Sequence, residues 1–196
     1  YPEQRHLAHV FAVVAAGRGA VGPMMGASAA VLQMLPLWFL LPDRVHTLLV
    51  DRRASSSRDV LRHDIPTSPV DIVDVDGISC TSLARTVFDV ARMESPTVGI
   101  ACADAAFRRL AASGRDYDEV VAEEFRAELR SLIGKAPGAR GLRRAIEIVE
   151  LADGRAESAG ESAERILLSR LGYDDLRLQV PVQGPDGRLV FPDVEV

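Results

Sequence analysis

Two carboxylates near the end of the chain share one face of a strand. In Leu189-Val-Phe-Pro-Asp193-Val-Glu195-Val196 the two-residue period of extended backbone puts Phe191, Asp193 and Glu195 on one side, and Val190, Pro192, Val194 and Val196 on the other. Carboxylates two positions apart stand about 7 Å from each other along a strand. That spacing can bracket a hard divalent cation such as Mg2+, which takes oxygen ligands and keeps several waters. Such an ion acidifies a bound water and stabilises charge on a scissile phosphate. The plain alternative is the solvated face of an exposed strand. The helix ahead of this strand carries Glu157, Glu161 and Glu164. Glu157 and Glu161 share a face, Glu161 and Arg165 form a favourable i, i+4 pair, and acids in a first turn complement the helix dipole. The dipole accounts for Glu157 and leaves Glu161 and Glu164 open between a solvated face and a site facing the metal.

Basic groups gather at Arg52, Arg53, Arg58 and Arg62, at Arg108 and Arg109, and at Lys135, Arg140, Arg143 and Arg144. The last set lies where Gly134-Lys-Ala-Pro-Gly-Ala-Arg-Gly141 enters a helix, so free backbone N–H groups and cations can together grip a phosphate backbone. A solvated, charged helix end is the alternative. The first set sits in a serine-rich loop without the aromatic residues that single-strand binders stack on. Arg85 and Asp89, four apart in the order less favourable to the dipole, read as a partly buried structural pair. His6, His9, His46 and His63 fit no zinc pattern, and His6 and His9 read as surface residues of one helix. Gly17-Arg-Gly19 is too short for a phosphate loop, and no serine or cysteine sits in a nucleophile elbow.

The elements that must position these groups belong to an ordinary globular chain of 196 residues, 47% hydrophobic and 26% charged, long enough for one large or two small domains. A net charge of −5 argues against a surface built as a whole to coat nucleic acid and leaves room for local basic patches. Lys135 is the only lysine, an arginine bias better explained by base composition than by selection for bidentate phosphate binding. The run Ala29 to Leu41, broken by Gln33 and Pro36, falls short of the ~20 residues of a membrane span and reads as core. Cys80 and Cys102 read as buried, reduced thiols of a cytoplasmic protein, with no secretion leader ahead of them. Opening on Tyr1 and closing abruptly, the sequence reads as a fragment of a longer chain.

The first expected helix begins at Pro2 and carries Leu7, Val10, Phe11 and Val14 at i, i+3, i+4, i+7. Ser28 is expected to cap a short helix to Leu35. Strands are expected over 45–50 and 60–65, joined by an exposed loop, and a hairpin over 70–80 turns at Asp76-Gly77. Helices follow over 83–93 behind Ser82, from Pro96 to about Ala112 behind Ser95, and over 118–132 and 142–151. A further helix opens at Ser158 or Ser162, and two strands, 176–182 and 189–196, close the chain.

Three segments together resemble a known family: Ser28-Ala-Ala-Val-Leu-Gln-Met-Leu-Pro-Leu37, Val75-Asp-Gly-Ile-Ser-Cys-Thr-Ser-Leu-Ala-Arg-Thr-Val-Phe-Asp-Val-Ala-Arg92, and Arg155-Ala-Glu-Ser-Ala-Gly-Glu-Ser-Ala-Glu-Arg165. They are similar to actinobacterial proteins that join an AbiEi-like antitoxin region, of the type IV toxin–antitoxin (abortive-infection) kind, to a domain like the very-short-patch-repair endonucleases. The resemblance implies an α+β chain with an antitoxin region over 1–152, a small sheet plus helices, and the start of a PD-(D/E)xK endonuclease-like domain over 155–196. It places Glu161 and Asp193 at catalytic positions and Asp193 at the Mg2+. Glu195 is a metal candidate on strand spacing alone. The next acid-bearing strand has no counterpart, so the chain as it stands is expected to be catalytically silent. Two functions follow as expectations. One is a DNA-associated phage-defence or repair protein with a Mg2+-dependent endonuclease domain. The other is a non-enzymatic antitoxin or transcriptional regulator that binds DNA and a toxin or other protein partner, away from membranes.

Overall fold

The computed structural model describes residues 2–17, 21–50, 55–114, 116–173, 178, 182–183 and 189–190. The fold is α+β. Its helices are α1 (Pro2–Gly17), α2 (Gly26–Leu32), α3 (Leu83–Met93), α4 (Pro96–Ala111), α5 (Glu119–Gly134), α6 (Leu142–Leu151) and α7 (Ala159–Arg170). Its strands are β1 (Val45–Leu48), β2 (Val60–His63), β3 (Ile72–Val75), β4 (Ile78–Thr81), β5 (Ala112–Ser113), β6 (Asp116–Tyr117), β7 (Val182–Gln183) and β8 (Leu189–Val190).

β1 and β2 run parallel with Val45 opposite Val60, and β3 and β4 form an antiparallel hairpin with Val75 opposite Ile78. The hairpin turns where expected: Asp76 and Gly77 both take positive φ, 51° and 81°, the backbone a two-residue turn requires. Met24 joins the two pairs. It bridges Thr47 on one side and Cys80 on the other, donating its N–H to Ser79 and accepting from Thr81. A single extended residue ahead of α2 thereby makes one surface of two short pairs, and Met24 and Met25 are fully enclosed.

The helices meet around α4, whose buried face carries Val98, Ile100, Cys102, Ala103, Ala106 and Phe107. Ser82 and Ser95 cap α3 and α4 through their side chains, as their positions before the apolar periods imply. Asp118 caps α5, and Ser158 rather than Ser162 caps α7. Cys80 and Cys102 are buried and unpaired, their thiols pushed up to about 11 and about 12 by burial. Among the described residues no helix is long and apolar enough to cross a membrane.

Several expectations are corrected. Ser28 is not a cap. Met25 holds that position, and Ser28 lies inside α2, fully buried. The run Ala29 to Leu41 is only partly core, because Met34, Phe39 and Leu41 are exposed after α2 ends. Met34, Trp38 and Phe39 take positive φ there, which turns the chain sharply and throws alternate side chains outward. On α1 the buried stripe is His6 and Val10, with Phe11 exposed, so the inward face is rotated from the expected one.

Candidate functional site

α3 carries the chemistry that its capping at Ser82 sets in phase. Arg85, Phe88, Asp89 and Arg92 fall at i, i+3, i+4 and i+7, on one flank. Asp89 is fully buried and held from both sides: Arg85 Nε donates to Oδ2 at 3.0 Å and Arg92 Nε donates to Oδ1 at 2.9 Å. Both guanidiniums also lie over the Phe88 ring, 6.0 and 5.6 Å from its centroid. The structural reading of Arg85 and Asp89 is thus borne out, with Arg92 as an added member.

Arg85 reaches further. Its Nη1 donates to the Pro66 carbonyl at 3.1 Å and stands 3.7 Å from Asp71 Oδ2. Asp71 in turn accepts from the Ser68 backbone in a capping box that closes the short 3-10 turn at 69–71. These bonds fix the 65–71 loop on one side of α3. On the other side lie the end of α5 and the turn that follows it. Between them opens a cleft of about 650 Å3, with Ile65, Pro66, Phe88, Leu132, Ala136 and Pro137 as apolar wall and Arg85, Arg92, Lys135 and Asp71 as its charged lining.

The 134–141 turn is built against the end of α3. Gly141 has φ 80°, and a Cβ there would stand 1.9 Å from the Arg92 carbonyl oxygen, so only glycine fits. Arg144 then donates through Nε to the Ala91 carbonyl at 3.2 Å and through Nη2 to that of Arg92 at 2.6 Å. These are the last carbonyls of α3, which have no partner inside the helix and carry the negative end of its dipole. Of the four residues expected to contact nucleic acid, the structure therefore spends Arg144 on a helix end. Lys135, Arg140 and Arg143 are exposed and have no acid partner among the described residues.

Glu161 is the third residue of α7, and both its carboxylate oxygens are engaged. Oε1 accepts from Ser158 Oγ and Oε2 from the Glu157 backbone, each at 2.8 Å, while Ser158 Oγ accepts from Glu161 N at 3.2 Å. This is a variant of the S-x-x-E cap, in which the glutamate takes the Ser158 hydroxyl and the backbone N–H one residue ahead of it. Both oxygens of Glu161 are thus engaged in the cap, and no step through Mg2+ follows from the described residues. Asp193 and Glu195 lie outside the described residues. Among the described residues no group of three or more His, Cys, Asp or Glu could hold a metal. The expected pairing of Glu161 with Arg165 is replaced: Arg165 is buried and paired with Asp104 of α4.

A histidine cluster escapes the sequence patterns. His6 Nε2 lies 2.9 Å from Ser28 Oγ, which also accepts from the His46 backbone at 2.8 Å, and the rings of His46 and His63 are 5.0 Å apart. Burial, with His9 nearby, lowers His6 to about 4, and burial with His63, His6 and Arg44 nearby lowers His46 to about 4. Burial also lowers His63. His6 is 1% exposed, not the surface residue expected. The usable signal was Val10, one turn on from His6, which marks the same face as buried.

No family model matches the chain, and no solved structure matches it. Two uncharacterized proteins, from two strains of Mycobacterium tuberculosis, are each 32% identical to it over 127 residues. The match takes in 62% of this chain but only 42% of each relative, so the chain spans well under half the length of the curated relatives it matches.

Proposed function

We propose that this chain belongs to a DNA-associated phage-defence protein and works in it as a non-enzymatic regulator of the antitoxin kind. The observation that supports it is the exposed trio Lys135, Arg140 and Arg143, free of acid partners among the described residues and mounted on a rigid base at the end of α3. Cations on a fixed turn make the non-specific contacts to phosphate that set register and affinity. The helical block around α4 offers the surface for a toxin or other protein partner. The test is duplex binding followed across a salt series. Each phosphate contact contributes about 0.9 to the slope of log K against log salt. Lys135→Ala, Arg140→Ala and Arg143→Ala together should lower that slope by up to about 2.7. An unchanged slope would overturn the assignment.

A second reading is the Mg2+-dependent endonuclease, and one observation favours it. After α7, β7 and β8 pair antiparallel with Val182 opposite Val190 and Gln183 opposite Leu189, and β8 runs on in sequence toward Asp193. A helix glutamate followed by a hairpin that leads into an aspartate is the order the endonuclease-like resemblance requires. Nicking of DNA by a chain extended beyond Val196, dependent on Mg2+ and lost in Asp193→Ala, is the expected result. Nicking that survives Asp193→Ala would remove that residue from the site.

A further inference from the structure

We infer that the cleft between α3, the 65–71 loop and the 135–139 turn is a binding site for a small organic carboxylate with a compact apolar body. Its volume, about 650 Å3, is in the range of small-molecule sites, and its wall is mainly apolar. Arg92 lines it, and the Arg92 side chain is nine-tenths buried. Its Nη2 lies 2.9 Å from Asp89 Oδ1 but out of line for a hydrogen bond, leaving a buried N–H donor without an acceptor. Such a donor is costly, and a small rotation of the guanidinium toward an anion in the cleft would satisfy it.

The charge count sets the kind of anion. Arg85, Arg92 and Lys135 face Asp71 and Asp89, leaving one positive charge in excess. The C-terminal end of α5 lowers that positive potential in part, while the end of α3 is already covered by Arg144. A monoanion matches that excess and a phosphate dianion does not. Lys135, exposed at the mouth, completes the pair of cations for a carboxylate, while Pro66, Leu132 and Pro137 accept its apolar part. Lys135 is the residue this site shares with the DNA reading, whereas Arg140 and Arg143 do not line the cleft.

The test is a titration of the protein with phenylacetate, followed through the backbone amide resonances of residues 65, 67, 68, 135, 136, 138 and 139. Saturable shifts in the millimolar range are expected for a fragment of this size. Phenylacetamide, of the same shape but neutral, should bind about tenfold more weakly or worse. Lys135→Ala, at an exposed position that folding tolerates, should weaken phenylacetate by up to about fivefold. Ala139→Trp should close the cleft and abolish the shifts. Equal binding of the amide, preference for phenyl phosphate, or the absence of saturable shifts at these amides would each overturn the inference.

Discussion

Asp104→Leu removes one half of the ion pair that fastens α7 to α4. Asp104 and Arg165 are 1% and 2% exposed, and the carboxylate also accepts from the Asp153 backbone at 2.8 Å. Burial pushes the Asp104 carboxyl upward, and the Arg165 charge and its hydrogen bond, with those from Asp153 and Ser162, pull it back only in part. For Asp104, desolvation therefore outweighs the attraction that the pair supplies. Taking away the acid alone leaves a buried guanidinium that keeps the Leu151 carbonyl on Nη1 and has nothing on Nε. An uncompensated buried charge of this kind costs about 3–5 kcal/mol, and the orphaned Asp153 N–H adds about 1 kcal/mol. Against a total stability of roughly 5–15 kcal/mol, the variant should be close to unfolding. Asp104→Leu combined with Arg165→Met removes both charges and refills the space, so it should recover to within about 1–2 kcal/mol of the parent. Urea unfolding of the parent, both single variants and the double variant at neutral pH gives the coupling directly. A single-variant cost below about 1 kcal/mol, or a double variant no better than the sum of the two singles, would refute the reasoning.

The histidine cluster predicts acid sensitivity. With His6 held at about 4 against an ordinary 6.5, the unfolded chain takes up a proton that the folded one refuses. Stability present above about pH 6.5 should thus be lost progressively toward pH 4, by about 3 kcal/mol in all at 1.36 kcal/mol per unit. His6→Gln should lessen the fall of the urea midpoint between about pH 7 and 5 without abolishing it, since His46 is lowered to about 4 as well, and parallel curves for parent and variant would count against it. Gly141→Ala combines a positive φ with a Cβ 1.9 Å from a carbonyl oxygen, and should cost at least about 2 kcal/mol in a thermal melt. Glu161→Ala opens the cap of α7 and should cost about 1 kcal/mol, measurable by the same melt. A larger loss would mean that Glu161 supports more than its own helix end.

Much of the fold was legible because local chemistry and tertiary structure agree. Ser82, Ser95 and Asp76-Gly77 do locally what their types favour, and helices α3 to α7 begin within a residue or two of their sequence signals. The failures share a physical cause. Ser28 has a cap's residue type, yet it is overruled by His6 and the His46 N–H, partners distant in sequence that claim its hydroxyl inside the core. The one-residue bridge at Met24 has no periodicity to read, and the pairing of Arg165 with Asp104 spans 61 positions. At the candidate site, the Arg85–Asp89 ion pair on α3 was legible from its i, i+4 spacing. The cleft was not, because the 65–71 loop and the 135–139 turn come together only through Arg85 and Gly141.

What four of the arginines do narrows where DNA can be held. Arg144 covers the end of α3, and Arg126 reaches the carbonyls of Val149 and Ala152 at the end of α6. Arg165 takes Leu151, and Arg109 takes Gln33 just past α2. Each satisfies carbonyls that a helix end leaves bare, and each is drawn to the negative end of a dipole. Releasing any of them to a phosphate would strip a helix end in exchange, so their contribution to DNA affinity is offset by the loss of a cap. Lys135, Arg140 and Arg143 have no such competing bond among the described residues. A phosphate contact there gains the full release of counterions. The same arithmetic applies to Glu161: binding a metal would have to exceed the roughly 1 kcal/mol of its cap before the carboxylate turned. A Mg2+-dependent loss of helicity at α7 would be the mark of that exchange.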